Sequence, residues 1–235
     1  MPGGCRVRSA GCGRGGGHER KKPMNPTESL PAKMFLLAFD PGRGRLTSRD
    51  NLGYLLRASA LAELVLNGRL RDEDGKAVAD GRVPGPDPVL AGVWNDVGSN
   101  PARSWRRWVG RDRGRTFGEV RDQLAEAGVL KTERVRFLGL VPHTRITLRD
   151  TRAARQVADQ VSRAIRGGQA AARVPQDAAV LAALAAAGQL RVVLSGRDRR
   201  QYKARLDRFA EPVEPVVKAL HRVITAKRAA AASGG

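Results

Sequence analysis

The sequence predicts a mainly α-helical fold carrying one or two short β-hairpins. Three observations predict it. The first is Leu52 to Leu70, LGYLLRASALAELVLNGRL, the longest strongly apolar stretch with helical spacing. The second is the recurrence, from Ser29 to Lys227, of apolar residues three and four apart in segments bounded by capping residues or glycine. The third is that strand-like runs are confined to Arg69–Val78 and Val129–Leu148.

In the central stretch, Leu52, Leu55, Leu56, Ala60, Leu61, Leu64, Val65 and Leu66 cover more than one stripe. A helix that apolar on most sides belongs inside a core. Only Arg57 and Glu63 interrupt it. Asp50 or Asn51 can cap its start, and Gly68 can end it. On this reading Arg57 falls in the opening turns, where the helix dipole disfavours a cation. Spacing alone favours a side chain that reaches out to water. The other reading is an anion docked beside free backbone N–H groups.

Before this helix, Ser29 is the expected N-cap of SLPAKMFLLAF, with Pro31 in its first turn, and Asp40 to Arg45 reads as a turn. After it, Arg69 to Val78 reads as a hairpin turning at Asp74-Gly75. Asp72, Glu73 and Asp74 on its tip read as solvated carboxylates. Pro84 to Pro88 breaks the chain, and Val89 to Val97 is expected to be helical, with Leu90, Val93, Trp94 and Val97 on one side. SWRRWVGR follows, its Trp105 and Trp108 at helical spacing and expected to pack in the core. Gly110 to Arg115 reads as a basic loop, and Thr116 to Ala127 as an amphipathic helix stopped by Gly128. Two strand-like runs follow, with a turn expected near Pro142-His143-Thr144. Asp150 and Thr151 open a helix through Ile165, and Pro175 opens an Ala/Leu helix to Ala187. A last helical region, from about Arg197 to Lys227, is expected to bend near Pro212 and Pro215.

Composition bounds the function. The chain of 235 residues carries a formal charge of +20, with 35 Arg and 8 Lys. Abundant Ala, Gly, Val and Arg with little Lys suggests a GC-rich genome such as an actinobacterial one. Residues 1–26 read as a disordered, Gly- and Arg-rich tail, with Met24 an alternative start. Its Cys5, Cys12 and His18 match no zinc spacing. Without its six basic groups and Glu19 the remainder still carries about +15. Such a charge points to nucleic acid, membrane surfaces or phosphate-bearing ligands. No run reaches the roughly 18 apolar residues of a membrane span, and no apolar signal segment opens the chain, so a cytoplasmic location is expected.

Catalytic and metal motifs are not in evidence. GxSxG, P-loop, HExxH and a strand-to-helix GxGxxG are all missing from the body, so no enzyme activity, cofactor or metal is expected. Basic clusters remain: Arg43, Arg45, Arg49 and Arg57; Arg103 to Arg121; and Arg197 to Arg205. A helix, then Gly128-Val129-Leu130, then a hairpin is also the pattern of a winged-helix nucleic-acid binder. Against that stand Glu119, Asp122 and Glu126 on the helix that would enter the groove.

A second pattern is more specific. FLLAFD, LLRASALAELVLNGRL, the Asp80…Pro84-Gly85-Pro86-Asp87 loop, and VRDQLAEAGVL followed by a hairpin come in an order that resembles the Golgi phosphoprotein 3 family. The sharpest piece is L-R-x(5)-E-L-x-L-x-G-R-L, matched by Leu56, Arg57, Glu63, Leu64, Leu66, Gly68, Arg69 and Leu70. The resemblance spans about residues 28–225 and implies a single helical domain over 27–228, with a short C-terminal tail over 229–235 expected to fray. It implies a helical bundle core ringed by amphipathic helices. It implies peripheral membrane binding through the head group of phosphatidylinositol 4-phosphate, in a pocket built from a Trp, an Arg nine residues later and a basic pair. The Arg falls on Arg57, the Trp position on Ser48 beside Arg49, and the basic pair on Gly114 and Phe117, flanked by Arg111, Arg113 and Arg115. The hairpin, with Arg134, Val135, Phe137, Leu138, Ile146 and Leu148, is implied to serve self-association into a homo-oligomer. The expected partners are therefore anionic or phosphoinositide lipids. A protein-interaction scaffold without lipid binding is the remaining alternative.

Overall fold

A helix from Arg49 to Leu66 (α2) forms the axis of the protein. Leu55 through Ala62 are buried without a break, so every face of α2 is covered. Around it pack α1 (Leu30–Leu37), α3 (Pro88–Gly98), α4 (Trp105–Gly110), α5 (Arg113–Glu126), α7 (Gln176–Ala187) and α10 (Glu214–Ser233). The remaining helices are α6 (Thr151–Arg166), α8 (Gly196–Gln201) and α9 (Lys203–Ala210). The structure is a computed structural model and describes residues 27–40, 42–137 and 141–234. The expected disordered tail and its two cysteines lie outside the described residues.

The strands are short and antiparallel. β1 (Phe39–Asp40) pairs with β2 (Arg45–Leu46). β3 (Leu70–Glu73) and β4 (Lys76–Ala79) form the expected hairpin, with Asp74 and Gly75 both at positive φ as its turn requires. β5 (Arg103–Ser104) adds a third strand beside Lys76 and Ala77. β6 (Leu130–Phe137) and β7 (Val141–Leu148) make a separate two-stranded hairpin. Pro142, His143 and Thr144 lie within β7, opposite Arg136, Val135 and Arg134. Strand pairing continues through these three residues, so the turn expected there is not found at them.

Glycine and alanine set the spacing of the helices. A side chain at Gly188 would place its Cβ 2.3 Å from Leu55 Cδ2, so the end of α7 meets α2 only through a glycine. At Gly53 the Cβ would sit 2.8 Å from the carbonyl oxygen of Arg113, and this brings the starts of α2 and α5 together. In α7, Ala178 through Ala185 are all buried, so this helix packs by small methyls on every side. Trp105 and Trp108 are both buried, as their spacing predicts. The Trp105 indole N–H donates to Asp72, and Glu73 pairs with Arg71, so these tip carboxylates are held separately rather than converging.

Several boundaries differ from the sequence reading. α2 begins at Arg49, one turn before Leu52, and its N-cap is Ser48 rather than Asp50 or Asn51. Leu70 belongs to β3, beyond Gly68 at φ 62. α5 begins at Arg113, so the expected basic loop shrinks to Arg111 and Asp112. The region after Arg197 is broken at Tyr202 as well as near Pro212, and α10 runs on to Ser233 where fraying was expected.

Glu63 performs an unanticipated capping role. Ser29 occupies the N-cap of α1, but its hydroxyl makes no cap hydrogen bond. Instead the Leu30 N–H donates to Glu63 Oε2 at 2.7 Å, from the far helix. Burial pushes the Glu63 carboxyl up to about 7, with Asp87 and Asp177 adding to the rise and the Leu30 hydrogen bond and Lys33 opposing it. The folded state therefore holds this proton more tightly than the unfolded chain, where the ordinary value is 4.5. Its contribution to stability is full below the unfolded value and is lost as pH rises towards 7. Glu63→Gln keeps the acceptor for Leu30 and removes the titration. In denaturant unfolding at pH 5 and pH 8, the variant is expected to gain about 2–3 kcal/mol on the parent over that interval. Parallel pH profiles for the two proteins would refute the assignment.

Candidate functional site

Beginning at Arg49, α2 presents Arg49, Gly53 and Arg57 four residues apart, as a stripe along one side. Arg57 is in the third turn, well past the opening dipole, and is only 2% exposed. It neither reaches water nor faces an open anion site. Its Nη2 donates to Asp96 Oδ2 of α3 at 2.9 Å, and its Nε donates to the Trp108 carbonyl of α4 at 3.3 Å. Burial lowers its pKa from the ordinary arginine value, and the hydrogen bond and charge of Asp96 oppose that. The ordinary value is so high that the guanidinium stays charged. Arg57 thus fastens the central helix to two neighbours.

Arg111 belongs to the same network. Its guanidinium lies 5.5 Å from the Trp108 ring centroid, and its Nε donates to Asp112 at 3.1 Å. Arg115 points elsewhere and pairs with Glu119 one turn along α5 at 2.8 Å. Of the residues named from the sequence, Arg57 and Arg111 are therefore joined around Trp108, while Arg115 stands apart from them on the exposed side of α5.

Arg49 and Arg113 come together in a different place. They line a groove of about 430 Å³ between the starts of α2 and α5. Asp50, Gly53, Gly114, Phe117 and Arg121 line it too, and Thr144 and Ile146 of β7 close one side. Gly114 and Phe117, the two positions where the family pattern places a basic pair, are thus in the groove. Arg113 and Arg121 lie one turn before and one turn after Phe117, and Arg121 is held by a two-point ion pair to Asp122 at 2.7 and 2.9 Å. Ser48 caps α2 in the left-handed region with φ 52, and Asp112 caps α5 likewise with φ 47. Neither side chain makes a cap hydrogen bond, so both helix starts present uncapped N–H groups. Arg113 also stacks over the Tyr54 ring at 4.7 Å, and Lys227 of α10 lies 5.8 Å from the same ring. Lys227 Nζ reaches the Asp50 carbonyl at 2.6 Å and Asn51 Oδ1 at 3.1 Å.

Tyr54, Lys227 and Asp96 were not identified from the sequence, and Arg121 was named there only as a member of the Arg103–Arg121 basic cluster. For Arg121 a signal existed: Arg113, Phe117 and Arg121 are four apart, but starting the helix at Thr116 hid the stripe. Nothing local in the sequence points to Asp96 or Lys227, since both meet α2 through long-range packing. In the hairpin, Ile146 is buried in the chain's own core, Leu148 is half-buried against it, and Arg134 is exposed. Leu138 lies outside the described residues. Among the described residues no three of His, Cys, Asp and Glu cluster as metal ligands would. No helix among them is long and apolar enough to cross a membrane.

Arg57→Ala leaves Asp96 and the Trp108 carbonyl without their donor. The loss expected in denaturant unfolding is about 3–5 kcal/mol, the cost of breaking a buried pair. Removing both charges, as Arg57→Met with Asp96→Ala, is expected to recover part of it. A single substitution costing under about 1 kcal/mol would show that the pair carries little.

No curated protein matches the chain. The family model for Golgi phosphoprotein 3 (GPP34) matches residues 30–226, most of the chain and all the elements that build the α2–α5 groove. With a mainly helical architecture, short hairpins and that match together, the chain belongs to the Golgi phosphoprotein 3 family.

Proposed function

We propose that this protein is a non-enzymatic peripheral membrane protein that binds anionic lipid head groups, phosphatidylinositol 4-phosphate among them, in the α2–α5 groove. The observation that carries the reading is the convergence of two uncapped helix starts with Arg49, Arg113 and Arg121. Helix N-termini offer N–H groups and a positive dipole end to a phosphate. Arginine adds a planar, two-pronged fit to phosphate oxygens. Phe117, in the groove wall, offers the aromatic surface that Ser48 lacks. Asp50 at the rim opposes binding, and an anion must compete with Asp122 for Arg121, which leaves Arg49 and Arg113 as its first contacts.

Each basic residue near an anionic leaflet contributes roughly 1 kcal/mol, so three or four hold the protein reversibly and with strong salt dependence. Arg57 takes no direct part in this reading, because its donors are spent on Asp96 and Trp108. Family membership supports the membrane role as well. The net acidic outer face of α5, with Glu119, Asp122 and Glu126, speaks against nucleic acid as the partner. Self-association through the distal part of the β6–β7 hairpin completes the reading, with Ile146 and Leu148 as its intramolecular anchor.

In vesicle co-sedimentation, binding to phosphatidylinositol 4-phosphate vesicles is expected to exceed binding to phosphatidylserine vesicles of equal charge. Neutral vesicles are expected to pellet little protein. Arg113→Glu with Arg121→Glu is expected to weaken binding by about tenfold or more, while the melting temperature stays close to the parent's. Equal sedimentation with neutral and anionic vesicles would overturn the proposal. Equal sedimentation with the two anionic lipids would reduce it to charge alone. For the hairpin, light scattering is expected to give a mass rising above that of one chain with concentration, and a hairpin shortened between Arg134 and Arg145 to remain a single chain. A full-length chain that stays single at high concentration would remove self-association.

A further inference from the structure

A second groove, sharing no residue with the first, lies among the C-terminal helices. Its floor is apolar, formed by Ala186 and Ala187 of α7, Ala210 of α9 and Val217 of α10. One wall carries Arg199 and Arg200 of α8 and Lys203 of α9. The facing wall, on α10, carries Lys218, His221 and Arg222. The volume is about 600 Å³, within the range of small-molecule sites.

Its charges are unbalanced. Asp207 is the one carboxylate in the lining, and Lys203 already holds it at 2.6 Å. Lys218 pairs with Glu214 outside the groove at 2.7 Å. Arg200 and Arg222 make no side-chain hydrogen bond or ion pair among the described residues. Arg199 donates to the Leu194 carbonyl at 3.0 Å, and its pKa is lowered by burial and then by Arg191, Arg228 and Arg200. Cations gathered without protein anions repel one another, and a bound anion relieves that repulsion.

The floor narrows the ligand class. An inorganic anion would satisfy the walls and leave the alanine methyls wet. A neutral alkyl chain would cover the methyls and leave the arginines unpaired. A partner helix would have to pass between two cationic walls to reach methyls that are already largely buried. The chain's own residues 1–26 carry six basic groups against Glu19, so like charge keeps them out. We infer that the groove between α7, α8–α9 and α10 binds a single-chain anionic amphiphile. Its alkyl chain lies along the alanine floor, and its phosphate or carboxylate is reached by Arg200 from one wall and Arg222 from the other.

Calorimetric titration of the full chain with dodecyl phosphate below its micelle concentration tests this. Binding of one molecule per chain is expected, with inorganic phosphate and dodecyl maltoside each weaker by about tenfold or more. Arg200→Glu with Arg222→Glu is expected to weaken dodecyl phosphate by a similar factor. Both residues are exposed and unpaired, so an unchanged circular dichroism spectrum and melting temperature are expected alongside. Ala186→Phe, which fills the floor, is a second variant with the same expected loss. Dodecyl maltoside binding as tightly would make the groove merely apolar, and inorganic phosphate binding as tightly would make it merely an anion site. Unchanged affinity in both variants would place the amphiphile elsewhere. A synthetic Leu/Glu-repeat helical peptide that displaces dodecyl phosphate and binds more tightly would assign the groove to a protein partner. Any of these four results overturns the inference. The Arg113→Glu, Arg121→Glu variant leaves this groove intact, so it is expected to bind dodecyl phosphate like the parent, and the two sites fail or stand separately.

Discussion

A helix enclosed on every side has nowhere to send a polar side chain except to a partner within the protein. α2 meets that constraint three times. Arg57 reaches Asp96 and the Trp108 carbonyl. Glu63 takes the first N–H of α1. The Ser59 hydroxyl donates back to the Leu55 carbonyl at 2.8 Å. The first two contacts fix which helices stand beside the axis and at what height. The apolar remainder of α2 contributes most of the burial but does not by itself choose among neighbours.

The two residues that interrupt the central apolar run are therefore the ones that orient the fold. Arg57 and Glu63 are also the two charged positions in the family motif L-R-x(5)-E-L. The geometry accounts for their presence without a ligand. A buried guanidinium and a half-buried carboxyl group on one helix, facing different neighbours, define register as a lock does. The groove between the starts of α2 and α5 is lined by other arginines, Arg49, Arg113 and Arg121.

Helix identity was legible from apolar spacing and capping residues, and so were the β3–β4 hairpin and the burial of both tryptophans. Helix starts were less so. Ser48 and Asp112 enter α2 and α5 through left-handed backbone, an unfavourable conformation for them, and neither caps by its side chain. Both are residue types that favour N-caps, but Asp50, Asn51 and Thr116 offered competing starts further on, and each helix read as starting late. That error hid the Arg49–Gly53–Arg57 and Arg113–Phe117–Arg121 stripes, and with them the groove. The role of Arg57 was out of reach for another reason: its partner lies 39 residues away, on a helix whose placement depends on tertiary packing.

Lys227 ties the α2–α5 groove to the far end of the domain. Its ammonium group holds the Asp50 carbonyl at the groove rim across a separation of 177 residues. A contact of that span carries a loop-closure cost that the packing of the intervening helices must offset. The rim is thus fastened from the far end of the domain, and its shape reports on whether α10 has docked. A chain that has assembled α1 to α5 and not yet α10 has the groove's arginines but not the bolt that sets the first turn of α2. The shape of this surface is accordingly a property of the whole domain rather than of the local segment.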